Sequence, residues 1–174
     1  MMNFHMETTN SPMTARADQF RSAMRAWTTG VAIVTAAHEG RRHGMTVSSF
    51  TSISLEPPLV AISLSKASHT HALVERAGAF GVTILAADQR DLSERFAGRL
   101  GNIEAGRMHE LPTQTFVTGA PFIKGGLAFL DCRVIQTIPA GANTLFLADV
   151  VAVRGDDHDA PLVYHDRAYR RIED

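Results

Sequence analysis

The stretch VAIVTAAHEGRRHGMTVSSFTSISLEPPLVAISL, Val31 to Leu64, decides the fold. Three segments in it, residues 31–36, 45–53 and 59–64, are rich in β-branched side chains, which suit a pleated surface, so each reads as a strand. Glu39-Gly40 separates the first two, and glycine supplies the positive φ that a tight hairpin turn needs. Glu56-Pro57-Pro58 precedes the third, where two prolines remove two ladder donors and pairing must pause. Strands joined by such short connections fold back on one another, which is an antiparallel arrangement.

Working outward, residues 80–85 read as a further strand. Residues 127–138 and 144–153 read as two more, flanking a hairpin loop at Pro139-Ala140-Gly141-Ala142-Asn143. A last strand is expected at 162–164. Two short helices interrupt the series: 69–77, closed by Gly78, and 88–97, closed by Gly98, with Leu92 and Phe96 stacked four residues apart. Upstream, Phe20, Met24 and Trp27 recur at helical spacing over 16–29, with Gly30 as the stop. That spacing predicts a helix whose apolar face, Trp27 included, packs into the core. Residues 99–122 show no period and read as a long loop, expected to act as a lid. Six or seven strands with few helices predict a mainly β, antiparallel barrel.

The chain has 174 residues, which suits one domain at roughly 150 residues per domain. Folding at this size buries about 70% of the extended chain's surface, enough to dispense with disulfides or a structural metal. Residues 1–15 read as a flexible amino-terminal arm and 16–174 as the domain. Seventeen Lys plus Arg against eighteen Asp plus Glu leave a net charge of −1. No global field attracts a polyanion, so nucleic acid is not an expected partner. A single cysteine, Cys132, rules out an intrachain disulfide and any zinc site built on paired cysteines, and it favours a reducing cytoplasmic location. The longest apolar runs, such as 59–62 and 145–148, fall far short of the roughly 18 residues of a membrane helix.

Neither a Gly-x-Gly-x-x-Gly turn nor a Gly-Lys-Ser/Thr phosphate loop is present, so any nucleotide is held by other means. His-Glu-x-x-His and Gly-x-Ser-x-Gly are absent too, which leaves zinc-protease and α/β-hydrolase chemistry without an anchor. What stands out is hydroxyl density. Thr46, Ser48, Ser49, Thr51, Ser52, Ser54, Ser63, Ser65, Ser68 and Thr70 make ten hydroxyl residues in twenty-five positions. They suit strand propensity and serine-rich turns; they equally suit a groove whose small donors pair with the polar rim of a flat heterocycle. Ser65, Ser68 and Thr70 surround a helix start, where free amides and a nearby Lys66 make a phosphate seat, although Ser68 also reads simply as an N-cap. His69 and His71, two apart at a helix start, diverge, and no metal site is expected from them. Asp156-Asp157-His158-Asp159 reads as a solvated turn.

Three runs follow one another in characteristic order: Thr29-Gly30-Val31-Ala32-Ile33-Val34-Thr35, Gly44-Met45-Thr46-Val47-Ser48-Ser49-Phe50-Thr51-Ser52 and Leu55-Glu56-Pro57-Pro58-Leu59-Val60. With Gln89, Leu92-Ser93, Phe96-Ala97, Gly119-Ala120-Pro121, Leu130-Asp131-Cys132, Pro161-Leu162-Val163-Tyr164 and Tyr169, the chain from Phe20 to Tyr169 resembles the flavin reductase family. The resemblance implies a homodimeric, FMN-binding, Greek-key split β-barrel that reduces FMN or FAD with NADH or NADPH, commonly for a partner monooxygenase. It implies that Met45, Thr46, Val47, Ser48 and Ser49 line the isoalloxazine, with Thr29 also at the cofactor. Ser63, Leu64, Ser65, Ser68 and Thr70 would hold ribityl and phosphate, and Phe96 and Gly98 would close the cleft. Asn143 and Tyr169 fall on the nicotinamide side, and no protein acid, base or metal is implied. The family usually carries Gly-Asp-His in the late hairpin, where this chain has Gly141-Ala142-Asn143. Asn143 can donate and accept a hydrogen bond but cannot become cationic. That departure keeps two rivals open: a flavin-binding carrier, and a related split-barrel oxidase with little use for nicotinamide.

Overall fold

The computed structural model describes residues 16–99, 106–155 and 160–172. The expected arm at 1–15, the Asp156–Asp159 turn and residues 100–105 of the expected lid lie outside the described residues. The chain runs α1 (Ala17–Met24), β1 (Thr29–Gly30), β2 (Ala32–His38), β3 (Arg41–Val47), β4 (Thr51–Ser54), β5 (Leu59–Ser65), α2 (His69–Ala77), β6 (Ala79–Ile84) and α3 (Arg90–Phe96). It continues through β7 (Thr113–Gln114), β8 (Phe122–Ile123), β9 (Ala128–Ala140), β10 (Asn143–Gly155), β11 (Val163–His165) and β12 (Ala168–Arg170).

Seven strands form one antiparallel sheet in the order β3-β2-β6-β9-β10-β5-β4. Three tight turns build it. Glu39 and Gly40 both take positive φ, 49° and 76°, between the paired residues His38 and Arg41, a type I′ geometry that matches strand twist. Residues 55–58 turn β4 into β5, and Gly141-Ala142 turns β9 into β10. The two outermost strands, β3 and β4, are neighbours in the chain, joined only by Ser48-Ser49-Phe50. The sheet therefore curls until its edges meet across three residues, the Greek-key split barrel that the sequence predicts. The single strand expected over 45–53 is in fact broken after Val47, because the chain has to leave one edge and reach the other.

Two cores result from the two faces of β2. Ala32, Val34 and Ala36 point into the barrel with Ile62, Leu64, Phe80, Val82 and Phe146, and α2 plugs that interior with Leu73 and Val74. Ile33, with Val31 just before the strand, packs on the outer side beneath Phe96 of α3, Met108, Ile123 and Leu162. Close approach on this side depends on Gly44, where an added Cβ would lie 2.8 Å from the Phe96 ring and 2.9 Å from Thr35 Cγ2. The last strand expected at 162–164 becomes part of a separate three-stranded sheet, β1-β11-β12.

Two expectations are corrected. The amino-terminal helix ends at Met24, because Thr29-Gly30 is drawn out to pair with Tyr164 and Val163. Its apolar stripe is not core: Phe20, Met24 and Trp27 are 63%, 46% and 67% exposed, and none of the described residues covers them. The described part of the expected lid is tied to the rest of the domain by hydrogen bonds. Arg95 donates to the carbonyls of Arg107 and His109 at 2.8 and 2.7 Å, and the buried Asp131 carboxylate accepts from the amides of Val117 and Thr118 at 2.7 and 2.8 Å. No helix among the described residues is long and apolar enough to cross a membrane.

Candidate functional site

The hydroxyls singled out in the sequence divide into two groups on either side of the β3–β4 junction. On the α3 side, Thr46 Oγ1 donates to the Ser93 carbonyl at 2.6 Å, and the Ser93 and Tyr169 hydroxyls are hydrogen-bonded to each other at 2.9 Å. These groups line a cleft with Val31, Val47, Ser48, Ala97, Arg99 and Tyr164. Tyr164 and Tyr169 sit opposite each other in β11 and β12 with ring centroids 5.3 Å apart, edge to face. Arg99 donates to Tyr164 OH at 3.1 Å, and Arg90 lies 5.4 Å over the Tyr169 ring. Among the described residues no carboxylate lines this cleft. Its chemistry is two aromatic faces, small hydroxyls and a cation, which suits a flat, polar-rimmed, anionic ligand.

On the β5 side, Ser49 Oγ donates to the Ser63 carbonyl at 2.8 Å and accepts from the Ser63 amide at 3.3 Å. Ser63 Oγ in turn accepts from Asn143 Nδ2 at 3.2 Å. Antiparallel register puts Asn143 opposite Ser65, so the β9–β10 hairpin tip stands over the turn that leads into α2. Lys66 fastens it there, its amide donating to the Ala142 carbonyl at 3.0 Å and its ammonium to the Gly141 carbonyl at 2.8 Å. Ser68 is the N-cap of α2, accepting from the His71 amide at 3.1 Å, yet its hydroxyl hydrogen remains free to donate. Ser65, Lys66 and Ser68 thus bring hydroxyls, an ammonium and a helix start together.

Other expected site residues stand behind these surfaces. Leu64, Thr70 and Phe96 are fully buried. Thr70 Oγ1 is engaged by His43 Nδ1 at 2.8 Å, so it faces away from the Ser65–Ser68 turn. Met45 packs against the barrel core. Thr29 borders a shallow recess with Val47, Ser48 and Phe50 on the other side of the Ser48 backbone. Gly98 closes α3 with a φ of 74°, against the Arg107 guanidinium. Asn143 and Tyr169 do not meet: one ends the Ser63 group, the other the Ser93 group. His69 and His71 diverge, His69 edge-on to His43 at 5.5 Å and His71 bonded through Nε2 to Thr144 Oγ1 at 2.8 Å.

Sequence reasoning overlooked Arg99 as part of the cleft. An arginine after a helix in an unpatterned loop carries no periodic signal; only the fold brings it onto Tyr164.

Comparison with known proteins agrees with this geometry. The family model "Flavin reductase like domain" matches residues 24–173. An NADH-dependent flavin reductase of Rhodococcus sp is 37% identical over 158 residues, covering 88% of this chain and 85% of that protein. The reductase component of 4-hydroxyphenylacetate 3-monooxygenase from Thermus thermophilus is 35% identical over 155 residues, covering 89% and 96%. Among solved structures, the NADH:FAD oxidoreductase SgcE6 of Streptomyces globisporus C-1027, in complex with NAD and FAD fragments, superposes with a TM-score of 0.81 at 29% identity, covering 90% and 92%.

Proposed function

The chain belongs to the flavin reductase family, and from that premise we propose that it reduces FMN or FAD with NADH or NADPH and hands the reduced flavin to a partner monooxygenase. The observation that carries this reading is the string of small hydroxyls and backbone along Thr46–Ser49, with an aromatic, arginine-bearing cleft at one end and a phosphate-suited turn at the other. The donor set fits the group: Ser48, Ser65, Lys66 and Ser68 present donors and no carboxylate.

Flavin and nicotinamide supply the redox chemistry themselves, a hydride passing from nicotinamide C4 to flavin N5. The protein's part is alignment. Oriented reactants recover up to about 7 to 11 kcal/mol of a barrier, against about 0.5 to 1.5 for one side-chain hydrogen bond. On this reading the Met45–Ser49 backbone positions the ring, with Val47 and Thr46 forming its bed and Phe96 holding that bed from behind. Backbone amides there face the charge that accumulates on reduction. Ser63 and Ser65 meet the ribityl chain; Ser68 and Lys66 meet the phosphate. Tyr169 and Asn143 border the nicotinamide.

A homodimer accords with the apolar side chains that the described residues leave uncovered: Phe20 and Met24 on α1, Trp27 just after it, Ile53 and Leu55 at the β4 edge, and Ile135 on β9. A cytoplasmic location accords with one unpaired, buried cysteine.

Steady-state oxidation of NADH and NADPH with added FMN or FAD tests the reading. Rapid turnover is expected. Undetectable turnover with intact flavin binding would instead select the carrier reading, which the Gly141-Ala142-Asn143 hairpin favours because Asn143 is committed to Ser63 and cannot carry charge.

A further inference from the structure

A second recess lies beside α2, apart from both hydroxyl groups. Arg41 and His43 alternate along β3 toward one face, and His69, Leu73 and Arg76 recur along one face of α2; the two patterns meet at this recess, with Arg42 at its rim. Among the described residues none of the three arginines pairs with a carboxylate, and Arg42 reaches only Thr113 Oγ1 at 3.4 Å. The whole chain carries a net charge of −1, so this is a local concentration of positive charge and not the expression of a basic protein. Placing like charges around one concavity is unfavourable until an anion enters. The floor is suited to that anion as well. His43 is half-buried, held by Thr70, and its pKa is lowered to about 4 by burial and by the nearby Arg107 and His69, so at neutral pH it is an uncharged hydrogen-bonding group.

We propose that the Arg41–His69–Arg76 recess binds a phosphate group. Guanidinium forks pair with phosphate oxygens two at a time, and among the described residues that line the recess only Ala72 and Leu73 are apolar. The recess begins one residue past Ser68, so it adjoins the turn to which the flavin's own phosphate is assigned above. Two ligands of that reading carry an additional phosphate: FAD, which has one more than FMN, and NADPH, which has one more than NADH. The identity of the source rests on the flavin reductase reading; anion capture by the recess does not.

The test compares the full chain with R41Q/R76Q by calorimetric titration with inorganic pyrophosphate at low ionic strength. The natural chain is expected to bind it, and the double variant at least about tenfold more weakly, while R41K/R76K, which keeps the charges and loses the forks, falls between the two. These arginines are exposed, and thermal unfolding of both variants checks that they fold. Flavin affinities and nicotinamide KM values then identify the source. A loss confined to FAD, with FMN unchanged, marks the dinucleotide phosphate; a KM rise confined to NADPH marks the 2′-phosphate; a pyrophosphate loss with neither marks a free phosphate ester. Absence of pyrophosphate binding by the natural chain, or equal binding by the folded glutamine variant, overturns the proposal. Should NADH:FMN turnover be absent while the pyrophosphate difference persists, the flavin reductase reading falls and the recess stands.

Discussion

Asn143 is where this chain departs from its family's pattern, and its bond to Ser63 shows what the amide does instead: it ties the hairpin tip to β5. Replacing it by His restores an imidazole at the same register position. N143H is expected to lower the nicotinamide KM while leaving FMN affinity within about twofold; an unchanged KM would remove Asn143 from the nicotinamide side. His43 offers a pH signature. Its folded pKa is lowered to about 4 while the unfolded chain keeps an ordinary value near 6.5, so between these pH values the unfolded state takes up a proton that the native state refuses. Stability therefore declines as pH falls from about 6.5 to 4, and H43Q, which keeps a partner for Thr70, should flatten that decline in urea titrations at several pH values. Cys132 is buried and its thiol is pushed up to about 12 by burial and by Asp131, so native protein should resist thiol reagents that label it at once in denaturant. At this scale Ser68 was legible because capping is local chemistry. Arg99 and Ser93 were not read as cleft residues, because their partners Tyr164 and Tyr169 lie more than sixty positions away.

Among the elements, the broken strand between Val47 and Thr51 matters most. β-branched residues stand on both sides of Ser48-Ser49-Phe50, at Thr46, Val47, Thr51 and Ile53, so propensity alone joins β3 to β4; the need to cross from one edge to the other overrides it. Ser49 holds the crossing by donating to and accepting from Ser63. S49A should cost about 1 kcal/mol, since it leaves a half-buried pair of backbone groups without this partner, and should weaken FMN binding in parallel. A drop in the denaturant midpoint with flavin affinity untouched would separate the junction from the ligand site. Helix α1 shows the opposite kind of illegibility. Its spacing marks an apolar stripe, but a stripe states only that one face will be covered, and none of the described residues covers it.

At the level of the whole molecule, composition and turn chemistry were enough for a single antiparallel barrel, because hairpins such as His38–Arg41 are decided within a few residues. Assembly is written less locally. If α1, the β4 edge and β9 meet a second copy, sedimentation of the natural chain should give a dimer, and W27S/I53S should shift it toward monomer at micromolar concentration; a natural chain that sediments as a monomer would refute the pairing. The junction at Ser48–Phe50 has a mechanical corollary. The barrel is a belt with one buckle: loosening it bares both selvedges of the sheet at once, so amide exchange along 42–47 and 52–54 should quicken together in S49A, while the threads of β6 and β9 stay protected.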